Sequence, residues 1–265
     1  MSVPRVQDPA ARRLPIASLE KSLRLLEALG RADESASVAW LIDQTSLDRT
    51  TVQRILRTLL AEGYVERTGR GEYAVAPRSY VLGAMLSKSS QLAVLARPVL
   101  QRLQRVTGET VNLAVLDGTS VLCIEHLATD KLLAFNFAVG TRLPAFASSL
   151  GRVILAYSRA ESAADVLQQS DRKALTRRTV VSMRKLRDEL ERVREQGYSL
   201  VVAEIEDGLA AAAAPVLGPT GEALAAVNLV VPLARTDEKE MRRVFVPPLL
   251  DATRALSSRL GWREP

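Results

Sequence analysis

Three arginines, two threonines and a glutamine crowd into residues 49–57: Arg49, Thr50, Thr51, Gln53, Arg54 and Arg57. Guanidinium, hydroxyl and amide groups are the side chains that hydrogen-bond phosphate oxygens and base edges in a DNA major groove. They interleave with Val52, Ile55, Leu56, Leu59 and Leu60, which recur at i, i+3, i+4, i+7 and i+8 and so make one apolar stripe of a helix. Asp48 stands where it would accept from the free N–H groups of the first turn, and Gly63 where the helix would end. Taken alone, such a helix reads as a solvated amphipathic surface element. Its neighbours on both sides point to DNA.

A second candidate lies at Ala147-Ser148-Ser149-Leu150-Gly151, which opens an apolar helical stretch. The free N–H groups and dipole of a helix start suit an anion. Gly151 would let a backbone come close, and the serine hydroxyls could add donors; alternatively Ser148 or Ser149 only caps the helix. Phe135, Phe137, Leu143, Phe146, Val201, Leu209 and Ala211 supply apolar material for the rest of a ligand. The combination predicts a small organic acid of a catabolic pathway, aromatic or dicarboxylic, and aromatic sooner than glyoxylate-like.

Other reactive groups form no catalytic set. Cys123 and His126 are the single cysteine and histidine. Three apart on an expected strand, they should point to opposite faces, a core cysteine and an incidental histidine rather than a dyad. One of each cannot build the usual zinc clusters. Glu204, Glu206 and Asp207 read as a solvated loop rather than paired catalytic carboxylates. No Gly-rich phosphate fingerprint occurs. No enzyme activity, metal or cofactor is expected.

The elements that must position these groups come from a chain of 265 residues, enough for two ordinary domains. With 47% hydrophobic and 25% charged residues it reads as soluble and globular. The net charge of +6 is shared equally by residues 1–90 and 91–265, so it is denser in the first third, but only mildly. Clustering of arginines matters more. A lone cysteine excludes an intrachain disulfide framework and fits a reducing compartment. The first 16 residues lack the apolar core of a signal peptide, and no apolar run reaches membrane-spanning length. The cytoplasm is the expected location, with no membrane partner.

Residues 1–16, with three prolines and Arg5, Arg12 and Arg13, read as a loose arm. Residues 17–77 form the first domain. Ser18 caps a helix from Leu19 to about Arg31, with Leu19, Leu23, Leu26 and Leu29 inward. A short helix carries Val38, Leu41 and Ile42 on one side, and Thr45-Ser46-Leu47 turns tightly into the arginine-bearing helix. That order is a helix-turn-helix. After Gly63, aromatic and β-branched residues flank Gly69-Arg70-Gly71, a hairpin with a basic tip. Directly after a recognition-type helix it is a wing, which would bring Arg67 and Arg70 to DNA. Residues 78–96 read as a linker helix with Tyr80, Val81, Met85, Leu86, Leu92 and Leu95 on one side. Such a stripe needs a partner, most simply a second copy of the chain. Pro98 either starts the next helix or kinks this one.

Residues 97–265 mix strands and helices. A helix closes at Thr107-Gly108; strands over 110–116 and 120–127 are joined by Asp117-Gly118-Thr119, and 132–137 is a third candidate. Residues 143–156 lead from a loop into an apolar helix, and helical stretches follow at 162–169 and 182–196. Strands at 198–203, 210–217 and 223–232 precede a final helix over about 237–260. Hairpins at both ends make an α+β sheet domain.

The stretches Ser18-Leu19-Glu20-Lys21-Ser22-Leu23-Arg24-Leu25-Leu26, residues 51–59 and Gly63-Tyr64-Val65-Glu66-Arg67 resemble the amino-terminal domain of the IclR family of bacterial transcriptional regulators. Tyr80-Val81-Leu82-Gly83 is similar to the segment after that family's wing. Residues 140–145, residues 149–156 and Arg194-Glu195-Gln196-Gly197-Tyr198 resemble its effector-binding domain, a GAF-like sensor. Residues 175–179, residues 204–209 and Ala226-Val227-Asn228 are similar to the branch regulating protocatechuate and β-ketoadipate pathway genes, and Asn228 joins the candidate effector set with this match. The departures are specific. Ser46 replaces a common turn glycine, Ala210 stands where that branch often has arginine, and Val201 and Ala211 occupy positions where glyoxylate-type relatives use an acid and a cysteine. The resemblance implies a winged helix-turn-helix, a linker helix and an effector domain, in a ligand-responsive regulator of double-stranded operator DNA. It also implies a homodimer that can pair into a dimer of dimers. Effector binding is expected to reposition the sensor domain and, through residues 78–96, to respace the two DNA-binding heads. An enzyme with a regulatory DNA-binding domain, or an architectural DNA binder without a ligand, are the alternatives.

Overall fold

The computed structural model describes residues 16–32, 34–69, 71–89, 91–129 and 138–264, with backbone alone at 84–89 and 91. The arm over 1–15, Arg70, the strand candidate over 132–137 with Phe135 and Phe137, and the side chains of Met85 and Leu86 lie outside the described residues. The chain divides into two compact units, the second beginning at Gln91.

The first unit runs α1 (Ala17–Leu29), α2 (Val38–Thr45), α3 (Arg49–Ala61), β1 (Val65–Arg67), β2 (Tyr73–Val75) and α4 (Pro77–Ser89). Its core joins Leu25, Ala28 and Leu29 of α1 to Leu41, Leu47, Val52, Ile55, Leu56 and Val65. The expected inward face of α1 is therefore corrected. Leu19 and Leu23 are 53% and 52% exposed. The helix offers two apolar stripes, and α2 and α3 cover only the one centred on Leu25 and Leu29. Ser18 is no cap either, because the helix starts a residue earlier and Ile16 occupies the cap position without a side-chain bond. Ser37 does cap α2, accepting from the Trp40 N–H at 3.2 Å.

Between α2 and α3 the turn passes through Ser46 at φ 55°, ψ 26°, the left-handed conformation that glycine adopts without cost. The α3 helix ends in a Schellman pattern: Tyr64 N–H donates to Leu59 O at 2.9 Å and Gly63 N–H to Leu60 O at 3.1 Å, with Gly63 at φ +72°. The hairpin then pairs Val65 with Val75 and Arg67 with Tyr73. Ala36 adds a bridge to Tyr73, tying the wing to the segment before α2.

The second unit begins with α5 (Gln91–Thr107). Its strands are β3 (Thr110–Asp117), β4 (Ser120–Leu127), β5 (Arg142–Pro144), β6 (Ser199–Val202), β7 (Leu209–Leu217) and β8 (Ala223–Pro232). They form one antiparallel sheet in the order β5-β4-β3-β8-β7-β6, so the two hairpins predicted at opposite ends of the domain meet at β3 and β8. Helices α6 (Ser149–Ala156), α7 (Ala160–Gln169) and α8 (Met183–Gln196) contribute to the core on one face of the sheet. On the other lie α5 and α10 (Val246–Arg259), which follows α9 (Glu238–Glu240) through a π-helical turn at Met241–Phe245. Five consecutive alanines, Ala210 to Ala214, run through β7. Alanine is a poor strand former, but these residues lie beneath helices on both faces, with Ala212 and Ala214 in one core and Ala213 in the other. Small side chains let α10 and α6 come close to the sheet.

Helix runs over Pro77–Ser89 and again from Gln91, with Ser90 outside the described residues; Ala96 is fully buried in the core of the second unit, and Leu92 and Leu95 pack against it. Those apolar residues serve the sheet rather than a stripe shared with Tyr80 and Val81, which are 68% and 54% exposed. Pro98 lies inside α5 rather than starting a helix.

Candidate functional site

In the first unit, Asp48 caps α3. Its carboxylate accepts from Thr51 N–H at 2.9 Å and from Thr51 Oγ1 at 2.7 Å. The Thr51 hydroxyl, with the backbone N–H groups of that turn, holds the Asp48 carboxyl below the usual carboxylate range. Burying Val52, Ile55 and Leu56 turns the opposite face outward: Arg49, Thr50, Arg54 and Arg57 are exposed, and Thr51 and Gln53 half-buried. None of the three arginines is paired with a carboxylate among the described residues. Lys21, Ser18 and Ser22 of α1 share a groove with Thr51, Arg54 and Arg57. Sequence reading missed this α1 contribution, because it assigned that helix to the core alone. On the wing, Arg67 is exposed and its guanidinium stands 5.8 Å over the Tyr73 ring. Arg78, at the start of α4, donates to Glu62 O at 2.5 Å and lies 5.0 Å over the Tyr64 ring, joining the first turn of α4 to the end of α3.

In the second unit, a small cavity opens to solvent between the start of α6 and the sheet. Of the expected residues, Leu143, Ser148, Ser149, Val201, Leu209, Ala211 and Asn228 line it. Phe146, Ala147 and Leu150 instead lie in the core behind it. Gly151 is not on its wall: a Cβ there would meet Ala145 O at 2.2 Å, so the close approach this glycine permits is to the chain's own backbone. Ser148 is the cap of α6, its Oγ accepting from Gly151 N–H at 3.0 Å. Ser149 Oγ is buried on the cavity wall without a hydrogen-bond partner among the described residues. A buried hydroxyl left unpaired is costly, which makes it a group waiting for a ligand atom.

Glu204, Ile205, Glu206 and Val230 complete the wall. The solvated-loop reading of Glu204 is corrected. Its carboxylate is clamped by Arg152 of α6 in a two-pronged pair, Nη1 to Oε1 at 2.7 Å and Nη2 to Oε2 at 2.6 Å. Arg152 is 1% exposed and Glu204 8%. Arg152 Nε also donates to Phe146 O at 2.9 Å, and Val180 N–H donates to Glu204 Oε2 at 2.8 Å. Thr179 Oγ1 donates to the Glu204 carbonyl at 2.7 Å and Thr176 Oγ1 to the Ala203 carbonyl at 2.7 Å. These bonds hold Ala203 at φ +55°, where a non-glycine residue is strained. The signal in the sequence was one charge, Arg152, amid the apolar run Val153-Ile154-Leu155-Ala156.

The opposite-faces expectation for Cys123 and His126 also fails. The β3–β4 register shifts between Leu113 and Ala114, so that Ala114 faces Cys123 and Asn112 faces His126. Asn112 and Ala114 are two apart on β3 and share a face, so the inserted β4 residue brings Cys123 and His126 to that same face. They still form no dyad. Cys123 Sγ donates to the Glu125 carbonyl at 3.3 Å, and burial pushes its thiol up to about 12. Burial lowers the His126 imidazole below its ordinary value. No cluster of three metal-ligating side chains occurs among the described residues, and no helix there is long and apolar enough to cross a membrane.

A winged helix-turn-helix with an unpaired basic face, followed by a sheet unit enclosing a cavity, defines a transcriptional regulator with a separate second domain. Residues 18–69 match the IclR helix-turn-helix domain, and residues 84–258 match the family described as bacterial transcriptional regulator IclR C-terminal. The chain belongs to the IclR family of DNA-binding transcriptional regulators. It is 34% identical to the Pca regulon regulatory protein of Pseudomonas putida over 92% of this chain and 84% of that one. It is 30% identical to the transcriptional repressor IclR of Escherichia coli, over 89% of each. An IclR homolog from Microbacterium hydrocarbonoxydans, solved in complex with 4-hydroxybenzoate, superposes with a TM-score of 0.80 at 26% identity, covering 92% of this chain and 98% of that one.

Proposed function

We propose that this regulator senses a small organic acid, aromatic in preference to glyoxylate-like, in the cavity between α6 and the sheet. The observation that carries the reading is the buried Ser149 hydroxyl at the amino end of α6, which has no partner among the described residues and faces a mostly apolar cavity. A carboxylate at that helix end would take the hydroxyl and the first N–H groups of the helix. A ring would lie against Leu143, Val201, Ile205, Leu209 and Val230. Because Arg152 offsets the charge of Glu204, that wall is less hostile to an anion than its composition suggests. The names of two relatives support the aromatic class: one regulates a Pca regulon, and one was solved with 4-hydroxybenzoate. Relatives of both families are regulators rather than enzymes, which favours sensing over turnover.

The test is a thermal-shift titration of the full chain with 4-hydroxybenzoate and related acids. A ligand at 100 times its Kd adds about 2.7 kcal/mol of stability. Ser149→Asp puts a negative charge where the carboxylate would sit. It should abolish the thermal shift and the ligand's effect on DNA affinity, while ligand-free DNA binding persists. A variant that keeps the wild-type response places the ligand elsewhere.

We also propose that the regulator works as a homodimer, which can pair into a dimer of dimers. Leu19 and Leu23 on α1, and Tyr80 and Val81 on α4, leave large apolar side chains exposed on the first unit. A single helix-turn-helix has a small footprint, whereas two read half-sites one helical turn or more apart. Light scattering at micromolar concentration should give at least twice the chain mass; a monomer that still binds DNA fully would exclude the proposal.

A further inference from the structure

The cavity's floor carries a polar relay that the recognition of an acid does not by itself explain. Asn112 on β3 and Asn228 on β8 are cross-strand partners, and Asn112 Nδ2 donates to Asn228 Oδ1 at 2.8 Å. Asn112 Oδ1 then faces His126 Nδ1 of β4 at 2.6 Å. With the amides in this orientation the Asn112 carbonyl oxygen accepts and Nδ1 carries the proton. With its Oδ1 occupied by Asn112, Asn228 keeps its Nδ2 group without a hydrogen bond among the described residues, and Asn228 lines the cavity. Asn112 is fully buried and Asn228 is 4% exposed, so water cannot freely reorient either amide. The reversed relay is self-consistent too: Nδ1 would accept from Asn112 Nδ2, Asn112 Oδ1 would accept from Asn228 Nδ2, and Asn228 Oδ1 would face the cavity. The imidazole tautomer selects between the two.

We infer that His126 is a positioning residue which, through Asn112, holds the Asn228 amide with its Nδ2–H groups toward the cavity, so that the sheet floor selects a ligand bearing an oxygen acceptor there. The inference rests on the cavity being the effector site. It names the recognised chemistry at the end of the ligand that meets the sheet: a carboxylate, phenolate or carbonyl oxygen, with a group that can only donate rejected. A buried donor left unmatched costs most of its desolvation energy, which is how such a site discriminates. The proton on Nδ1 is present in the neutral Nδ1–H tautomer and in the imidazolium alike, so the floor keeps its polarity through the titration of His126.

His126 is the only histidine in the chain, so 15N-histidine labelling of the full protein gives a single imidazole signal set. At pH 8, without ligand, the expected spectrum shows a proton on Nδ1, against the usual preference of free imidazole for Nε2–H. An unprotonated, hydrogen-bond-accepting Nδ1 overturns the inference. Asn112→Asp supplies the functional arm. A carboxylate there can only accept, so Asn228 must turn its Nδ2 toward it and show Oδ1 to the cavity. Calorimetry with 4-hydroxybenzoate and its uncharged methyl ester should then find both weakened at least tenfold, with the ligand-free melting temperature reporting that the variant is folded; a loss confined to the charged acid reports repulsion alone and overturns the inference. Wild-type affinity in a folded Asn112→Asp protein also overturns the inference; if the variant fails to fold, the tautomer decides. Should 4-hydroxybenzoate not bind the wild-type protein, the effector-site reading fails for that probe, while the tautomer still tests the relay on its own.

Discussion

Arg152→Met is expected to destabilise the protein by about 3–5 kcal/mol, the cost of leaving one member of a buried ion pair without its partner. Both pair members are at least nine-tenths buried, and Glu204 would keep only the Val180 N–H as a donor. The same change frees the Phe146 carbonyl from its bond with Nε. Glu204→Gln in the Arg152→Met background should recover much of the loss, because a neutral amide still accepts from Val180 and no longer carries an unpaired charge. Urea unfolding of the full chain, followed through the second unit, measures both. A single variant within about 1 kcal/mol of wild type would show that the clamp contributes little. A second readout follows from its position: Glu204 lines the cavity, so Arg152→Met should weaken binding of an acid even where the protein remains folded.

The ion pair also marks where sequence reading stops. Helix α3 was legible because a stripe, a cap and a terminating glycine all agreed, and each is a local feature. Strands β4 and β8 were legible to the residue because turn residues bound apolar runs. Partnerships across sequence were not. Arg152 and Glu204 are 52 residues apart, and nothing near either one announces the other. Glu204 sits beside Glu206 and Asp207, so local composition argues for solvent. Only the return of β6 against β7, with Ala203 turned at positive φ, carries it inward. The face of His126 was missed for a related reason. Counting by twos along β4 assumes an unbroken ladder, and one inserted residue reverses the answer. On α1, periodicity offered two stripes, and which one is covered depends on the docking of α2 and α3. Of the cavity, the start of α6 was readable from its capping pattern, whereas Ile205, Glu206 and Val230 arrive from loop and strand positions with no periodic signature.

At the DNA, Arg54→Ala should cost about 1–3 kcal/mol in operator affinity, the scale of one bidentate contact to a base edge. In a helix-turn-helix the amino-terminal part of the recognition helix meets the bases, while the first helix crosses the phosphate backbone. Arg54 lies in the first half of α3, is exposed, and has no carboxylate partner among the described residues to hold it back. Arg57 lies one turn further along α3, away from its amino-terminal part, where a phosphate contact is expected. Arg57→Ala should therefore weaken operator and random duplex alike and reduce the slope of log affinity against log salt by about one. Arg54→Ala should instead relax sequence preference, weakening a selected operator more than random duplex. Fluorescence anisotropy on both duplexes over a range of salt separates the two roles. Equal losses on both duplexes for Arg54→Ala would move that residue to the backbone, and unchanged affinity for both would remove it from the interface.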